Sequence, residues 1–175
     1  MEVSGKKIYL IGFMGSGKST LGKRLASNLG WSFIDLDKKI EQRAGLKVPE
    51  IFSTKGEAWF RNAESEALRS LAAEDKVVIS TGGGTPCSGD NMAYMNETGL
   101  TVYLEMNPIQ LHRRLARSAG QRPLLKDIGS NELLDFIGKK LGEREHWYSM
   151  AAITIDGESG TVSHLLTQVK DWIQK

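Results

Sequence analysis

Gly12-Phe13-Met14-Gly15-Ser16-Gly17-Lys18-Ser19 is the stretch on which the fold turns. It fits G-x-x-x-x-G-K-[ST], and its flanks matter as much as its letters. Lys7 to Ile11 before it is short and apolar and reads as a strand. Lys18 to Asn28 after it sets Leu21, Leu25 and Leu29 on one face and Lys23 and Arg24 on the other, an amphipathic helix closed by Gly30. In a strand–loop–helix turn of this kind, the backbone N–H groups around Gly15, Ser16 and Gly17 curl about phosphate oxygens, and the helix N-terminus adds partial positive charge. Lys18 then reaches the β and γ phosphates, and the Ser19 hydroxyl is placed to ligate Mg²⁺. Thr20 packs or caps within the first helical turn.

Outward from this loop, short β-branched runs alternate with helical segments, the pattern of βαβ units around a parallel sheet. Strands are expected at Lys7 to Ile11, Ser32 to Asp35, Val77 to Ser80, Thr101 to Glu105 and Ala152 to Asp156. Further helices are expected at Asp37 to Ala44, Gly56 to Ala73, Asn107 to Arg117, Asn131 to Tyr148 and Thr161 to Lys175. Ser118 to Ser130 is the least patterned stretch, and reads either as a surface connection or as a mobile lid.

Composition bounds the rest. At 175 residues the chain fits one domain, residues 1–175, that buries roughly 70% of its unfolded surface. Its 40% hydrophobic and 25% charged content describes a globular protein without an apolar run of the roughly 20 residues a membrane helix needs. A net charge of +2, with basic and acidic residues interspersed, offers no basic stripe to nucleic acid or to a membrane surface. The start of the chain leads into only Ile8 to Leu10, too brief for a signal-peptide core, and Cys87 is the single cysteine; both point to the cytoplasm. Nothing resembles a heptad seam, so a monomer is expected. Glycine is in excess at 19, and the excess sits in Gly12/Gly15/Gly17 and Gly82/Gly83/Gly84; without those six the content falls to the usual 7% or so.

The second cluster of functional candidates lies at the strand ends. Asp35 and Asp37 flank Leu36, and strand alternation would turn both carboxylates to the cleft at the C-terminal edge of the sheet. Two like charges there call for a cation. Asp37 alone reads equally well as the N-cap of the next helix, and Asp35 as a solvated strand end. Beside a phosphate loop, Asp35 is assigned to the metal, through water, and Asp37 to an acceptor hydroxyl as base or orienting group. Arg61 and Glu64, three apart, share a helix face and form either a surface ion pair or part of the site. Gly82 to Gly84 follow a buried-type strand and read either as a flexible turn before Pro86 or, at the ligand-binding edge of the sheet, as a place where a ligand approaches bare backbone. Arg117 and Arg122 bound the candidate lid, and Arg144 lies near the end of the helix after it. The chain lacks the N-K-x-D sequence of a guanine reader and the Asp-Glu strand end of a motor ATPase, which leaves a small phosphotransferase.

The ordered set of motifs resembles the shikimate kinase family over nearly the whole chain: Gly12 to Ser19, Asp35-Leu36-Asp37, Phe52 with Gly56-Glu57 and Phe60-Arg61, Gly82 to Gly84, Arg122-Pro123-Leu124, and Arg144 ahead of Tyr148. The resemblance implies an α/β, three-layer P-loop fold with a five-stranded parallel sheet in order 2-3-1-4-5, helices on both faces, an acceptor-binding segment at about 35–64 and a lid at about 117–131. It implies that Mg·ATP donates its γ-phosphate to the 3-hydroxyl of shikimate, in aromatic amino-acid biosynthesis. By position, Arg61 and Arg144 would hold the shikimate carboxylate, Asp37 and the Gly82, Gly83 and Gly84 backbone its hydroxyls, and Phe52 and Phe60 its ring. Arg122 would stabilise the transferring phosphoryl group, and Arg117 would stack on adenine. Only four residues separate Arg117 from Arg122, fewer than the family's usual spacing, and Glu145-His146-Trp147 stands where a proline-containing stretch is usual. The competing expectations are a gluconate kinase and a nucleotide-binding paralogue without activity.

Overall fold

Alternation along the central strands decides the layering. In the computed structural model, which describes residues 6–118, 125, 128–160 and 162–174, strand β1 (Lys7–Ile11) is buried throughout. Tyr9 and Ile11 enter one core with Val77, Ile79 and Tyr103, whereas Ile8 and Leu10 enter a second with Val78, Val102 and Leu104. A strand apolar on both faces must be covered on both, and a three-layer sandwich follows.

The other strands are β2 (Ser32–Asp35), β3 (Val77–Ser80), β4 (Leu100–Glu105) and β5 (Ile153–Asp156). All pair in parallel, in the order β2-β3-β1-β4-β5. Helices α1 (Lys18–Leu29) and α8 (Val162–Ile173) cover one face through Leu25, Ala26, Leu165 and Val169. The opposite face is covered by α2 (Leu36–Ala44), α3 (Val48–Lys55), α4 (Glu57–Arg69), α5 (Asn91–Thr98) and the end of α7 (Ser130–Tyr148). A third cluster, with Phe13, Met106, Leu111 and Leu115, ties α6 (Pro108–Ala116) to α7 beneath the glycine loop. Among the described residues no helix is long and apolar enough to cross a membrane.

Four expectations need correction. The strand before Asp37 ends at Asp35, so Asp37 does not reach the cleft by strand alternation; Asp35 is the N-cap of α2, its Oδ1 accepting the Lys38 N–H at 3.3 Å. Helix α3 occupies a segment to which no element was assigned. Its N-terminus is held by Glu50, which accepts the Lys47 N–H at 2.8 Å, and by Glu41 of α2, which accepts the Val48 N–H at 3.0 Å. Gly56, at φ 85°, ends α3 and turns the chain into α4, which stops at Arg69 rather than Ala73. Helix α5 was not expected either. The outer strand and helix limits otherwise differ by one or two residues.

Candidate active site

The glycine loop crosses the C-terminal edge of the sheet from β1 to α1, with Gly12, Gly15 and Gly17 all at positive φ. A Cβ on Gly12 would lie 2.8 Å from the Leu104 carbonyl oxygen, so the close passage over β4 requires glycine there. Lys18, buried, donates from Nζ to the Gly12 carbonyl at 2.8 Å and the Phe13 carbonyl at 2.9 Å. Lys18 lines a cleft together with the loop itself, Thr20, Asp35 and Asp37, and Ser80 to Gly83.

At the floor of this cleft, register sets Asp35 directly opposite Ser80 on the neighbouring strand. The Ser19 hydroxyl at the start of α1 donates to Asp35 Oδ2 at 2.9 Å and lies 3.2 Å from Ser80 Oγ. Two hydroxyls and a carboxylate are hard oxygen donors of the kind Mg²⁺ takes. Among the described residues no group of three or more His, Cys, Asp or Glu forms a cage of its own. The donor set therefore suits an ion that draws its remaining ligands from water and a polyphosphate. Ser80 was overlooked in the sequence because a serine at a strand end carries no signal until pairing brings it to Ser19.

Asp37, in the first turn of α2, faces the junction of two clefts. The residue is half-buried, but its Oδ1 is sealed from solvent and has no hydrogen-bond partner. Burial, then the negative charges of Glu64 and Asp35, push its carboxyl up to about 6 against the opposing pull of Lys18. A carboxylate held this high and oriented into a cleft is suited to accept a proton near neutral pH.

Beyond Asp37 lies the second cleft, of about 390 Å³. It is lined by Phe52, Phe60, Arg61, Gly82, Gly83, Gly84 and Arg144, so every residue expected to contact an acceptor is brought to one place. Helix α4 supplies Arg61, whose Nη1 donates to the fully buried Glu64 at 2.6 Å and whose Nη2 donates to Glu57 at 3.1 Å. Glu64 Oε1 also accepts the Thr85 hydroxyl at 2.7 Å, so the guanidinium is anchored rather than left as a surface ion pair. A Cβ on Gly84 would sit 2.5 Å from Arg61 Nη1, which explains the third glycine of the run. Phe52 and Phe60 pack tilted at 42° with ring centroids 4.7 Å apart and form the apolar wall.

Helix α7 supplies Arg144, whose Cζ lies 5.3 Å from the Phe13 ring centroid and whose buried Nη1 has no hydrogen-bond partner. An unsatisfied buried donor bordering a polar cleft is costly unless an anion meets it there. One turn on, buried Tyr148 stacks on Tyr103 at 5.0 Å and donates its hydroxyl to the Gly83 carbonyl at 2.6 Å. Tyr148 thus fixes both the helix that carries Arg144 and the glycine run it faces, a role the sequence did not disclose.

Of the remaining expected residues, Arg117 is exposed at the C-cap of α6 and lies outside the linings of both clefts. Arg122 and most of the expected lid lie outside the described residues. The arginine of α6 that does enter the phosphate cleft is Arg114, which the sequence reading passed over.

A glycine loop of the phosphate-binding pattern, an adjoining cluster of two hydroxyls and a carboxylate, and a second cleft with a raised carboxyl at the junction define a P-loop phosphotransferase acting on a small acceptor. Comparison with known proteins narrows this. The shikimate kinase family model matches residues 14–174, and the chain belongs to that family. A shikimate kinase of Phocaeicola vulgatus is 48% identical over 145 residues, 83% of each chain. The crystal structure of shikimate kinase from Bacteroides thetaiotaomicron superposes with a TM-score of 0.88 at 41% identity, over 97% of this chain and 99% of that one. A shikimate kinase from Acinetobacter baumannii, solved in complex with shikimate, gives a TM-score of 0.83 at 32% identity, covering 98% and 94%.

Proposed function

We propose that this chain transfers the γ-phosphoryl group of ATP to the 3-hydroxyl of shikimate, giving shikimate 3-phosphate in the pathway to chorismate and the aromatic amino acids. The observation that carries the reading is the shared wall of the two clefts: Met14, Asp35, Asp37, Gly82 and Gly83 line both. A donor phosphate and an acceptor hydroxyl bound on either side meet at Asp37.

In this reading the acceptor carboxylate lies between Arg61 and Arg144, which supply a planar, multiply donating cationic clamp. Phe52 and Phe60 cover the ring. Asp37, at the far end, orients the 3-hydroxyl and takes its proton as the oxygen attacks the γ-phosphorus. The bond from that phosphorus to the β,γ-bridging oxygen breaks, and ADP departs with the electron pair. Lys18 and the N–H groups of the glycine loop offset the charge that builds on the phosphate oxygens. Ser19 and Asp35 would hold Mg²⁺, which when bound screens the same oxygens. The family resemblance assigns Arg122 to the transferring group and Arg117 to adenine.

A coupled ADP-release assay with Mg·ATP and, separately, shikimate, gluconate and a nucleoside monophosphate tests the reading. Rapid turnover with shikimate alone is expected. Turnover with gluconate and none with shikimate would overturn it.

A further inference from the structure

A polar side chain taken out of water must find its partners inside the protein. Glu64, Thr85 and Asn91 are each 0% exposed, and they come from three different elements: α4, the short turn Thr85–Cys87 that follows the glycine run, and α5. They satisfy one another in series. The Thr85 hydroxyl donates to Glu64 Oε1 at 2.7 Å, and the Thr85 carbonyl accepts from Asn91 Nδ2 at 2.9 Å. Asn91 Oδ1 in turn accepts from Arg69 Nη1 at 2.8 Å, which returns the series to α4.

Both ends of the series are held. At one end Glu64 also accepts from Arg61 Nη1 at 2.6 Å. At the other, Arg69 lies over the Tyr94 ring, with Cζ 4.9 Å from its centroid, and Nη2 donates to Asp90. The position between Arg69 and Thr85 needs an acceptor on one side and a donor on the other, which the Asn amide supplies and a carboxylate or an aliphatic group does not. Thr85 has a further attachment, its N–H donating to the Gly82 carbonyl at 3.2 Å. One residue therefore connects the anchor of Arg61 with the glycine run, and both of these line the acceptor cleft. Thr85 and Asn91 themselves lie behind that lining.

We infer that Thr85 and Asn91 are positioning residues for the acceptor, a buried relay that sets the Arg61 guanidinium against the Gly82 to Gly84 backbone. The tolerance there is small, since a Cβ on Gly84 would already lie 2.5 Å from Arg61 Nη1. Without the Thr85 hydroxyl, the Glu64 carboxylate is held from the Arg61 side alone and turns about its broad terminal torsion, taking the guanidinium with it. Without the Asn91 amide, the turn after the glycine run loses its side-chain tie to the end of α4. Neither residue lines the phosphate cleft, so the effect falls on the acceptor.

The inference rests on shikimate being the acceptor, and the test separates the two. Thr85→Val keeps the shape and the main-chain bonds but removes the hydroxyl; Thr85→Ser keeps the hydroxyl. Asn91→Asp keeps the oxygen that faces Arg69 and removes the donor to the Thr85 carbonyl. For each, KM for shikimate, KM for ATP and kcat are measured beside ADP affinity by calorimetry and the thermal midpoint. Thr85→Val and Asn91→Asp should raise KM for shikimate about tenfold, the loss expected for a hydrogen bond to a charged or buried partner. Thr85→Ser should stay within about twofold of the unaltered protein, and the ADP Kd within about twofold in all three, because separate sites do not couple strongly. An unchanged KM for shikimate in Thr85→Val would overturn the inference. So would an equal rise in Thr85→Ser, which would assign the effect to shape, or a joint rise of both KM values tracking a lowered midpoint. Should Asn91→Asp fail to fold, the two Thr85 variants decide the matter. If the unaltered protein phosphorylates gluconate and not shikimate, the functional reading falls, while the same comparison made with gluconate still decides the role of the relay.

Discussion

Replacing Asp37 by Asn should abolish turnover and yet stabilise the fold, and the two effects should share one pH dependence. Burial and the neighbouring carboxylates raise this group from 3.8 to about 6, so the folded chain favours its protonated form. A carboxyl with a raised folded value contributes its stability below the unfolded value, and that contribution is lost as pH climbs through about 6. The separation corresponds to about 2 to 3 kcal/mol of stability surrendered by pH 8. Asn, isosteric and uncharged, makes no such surrender. The difference in unfolding free energy between Asp37→Asn and the unaltered protein should therefore grow by about 2 to 3 kcal/mol between pH 4 and pH 8 in urea titrations. In the unaltered protein log kcat should rise with pH and level off above about 6, since the base acts only when ionised. A stability difference that stays flat from pH 4 to pH 8 would refute the buried-charge argument. Undiminished kcat in the Asn variant would remove Asp37 from proton transfer.

Arg61→Ala should weaken shikimate binding by about 2 to 5 kcal/mol while ADP affinity is retained, because it removes one partner of a desolvated charge pair; acceptor KM against ADP calorimetry checks this. Glu64→Ala strips Arg61 and Thr85 of a fully buried acceptor and should cost about 3 to 5 kcal/mol in chemical denaturation. Gly82→Ala would place a Cβ 2.5 Å from Glu64 Oε1 and 3.2 Å from Asp37 Oδ1. Since Arg61 and Thr85 hold Glu64 in place, the shift falls on the site, and kcat/KM should drop roughly a hundredfold with little change in ADP binding.

Legibility followed the range of the interactions. The phosphate loop and its flanking strand and helix were readable because Gly12 to Ser19 encode a local conformation in consecutive residues. The acceptor wall was readable in its parts, as Arg61, Arg144 and the glycine run stand out from their surroundings. Its fastening was not, because the Tyr148 hydroxyl and the Gly83 carbonyl are 65 residues apart and the acceptor is backbone. Arg114 escaped for the same reason, its three partners all being main-chain oxygens. Helix α3 was missed because an eight-residue segment with Pro49 near its start looks like a connection. Its first turn is satisfied partly from outside, by Glu41 reaching across from the preceding helix beside the local Glu50. The Asp35–Asp37 pair teaches a finer point: both reach the cleft, one from a strand terminus and the other from a helical turn, so the expected convergence held through different geometry.

The partition between the two clefts has a practical corollary. Where it consists of Asp37 and bare glycine backbone, no bulky side chain stands between donor and acceptor. A single synthetic compound joining a carboxylated ring to an oligophosphate through a short tether could occupy both chambers at once. Its second half would then bind at the high effective concentration that tethering confers, and a tether too short to pass Asp37 would forfeit that gain entirely.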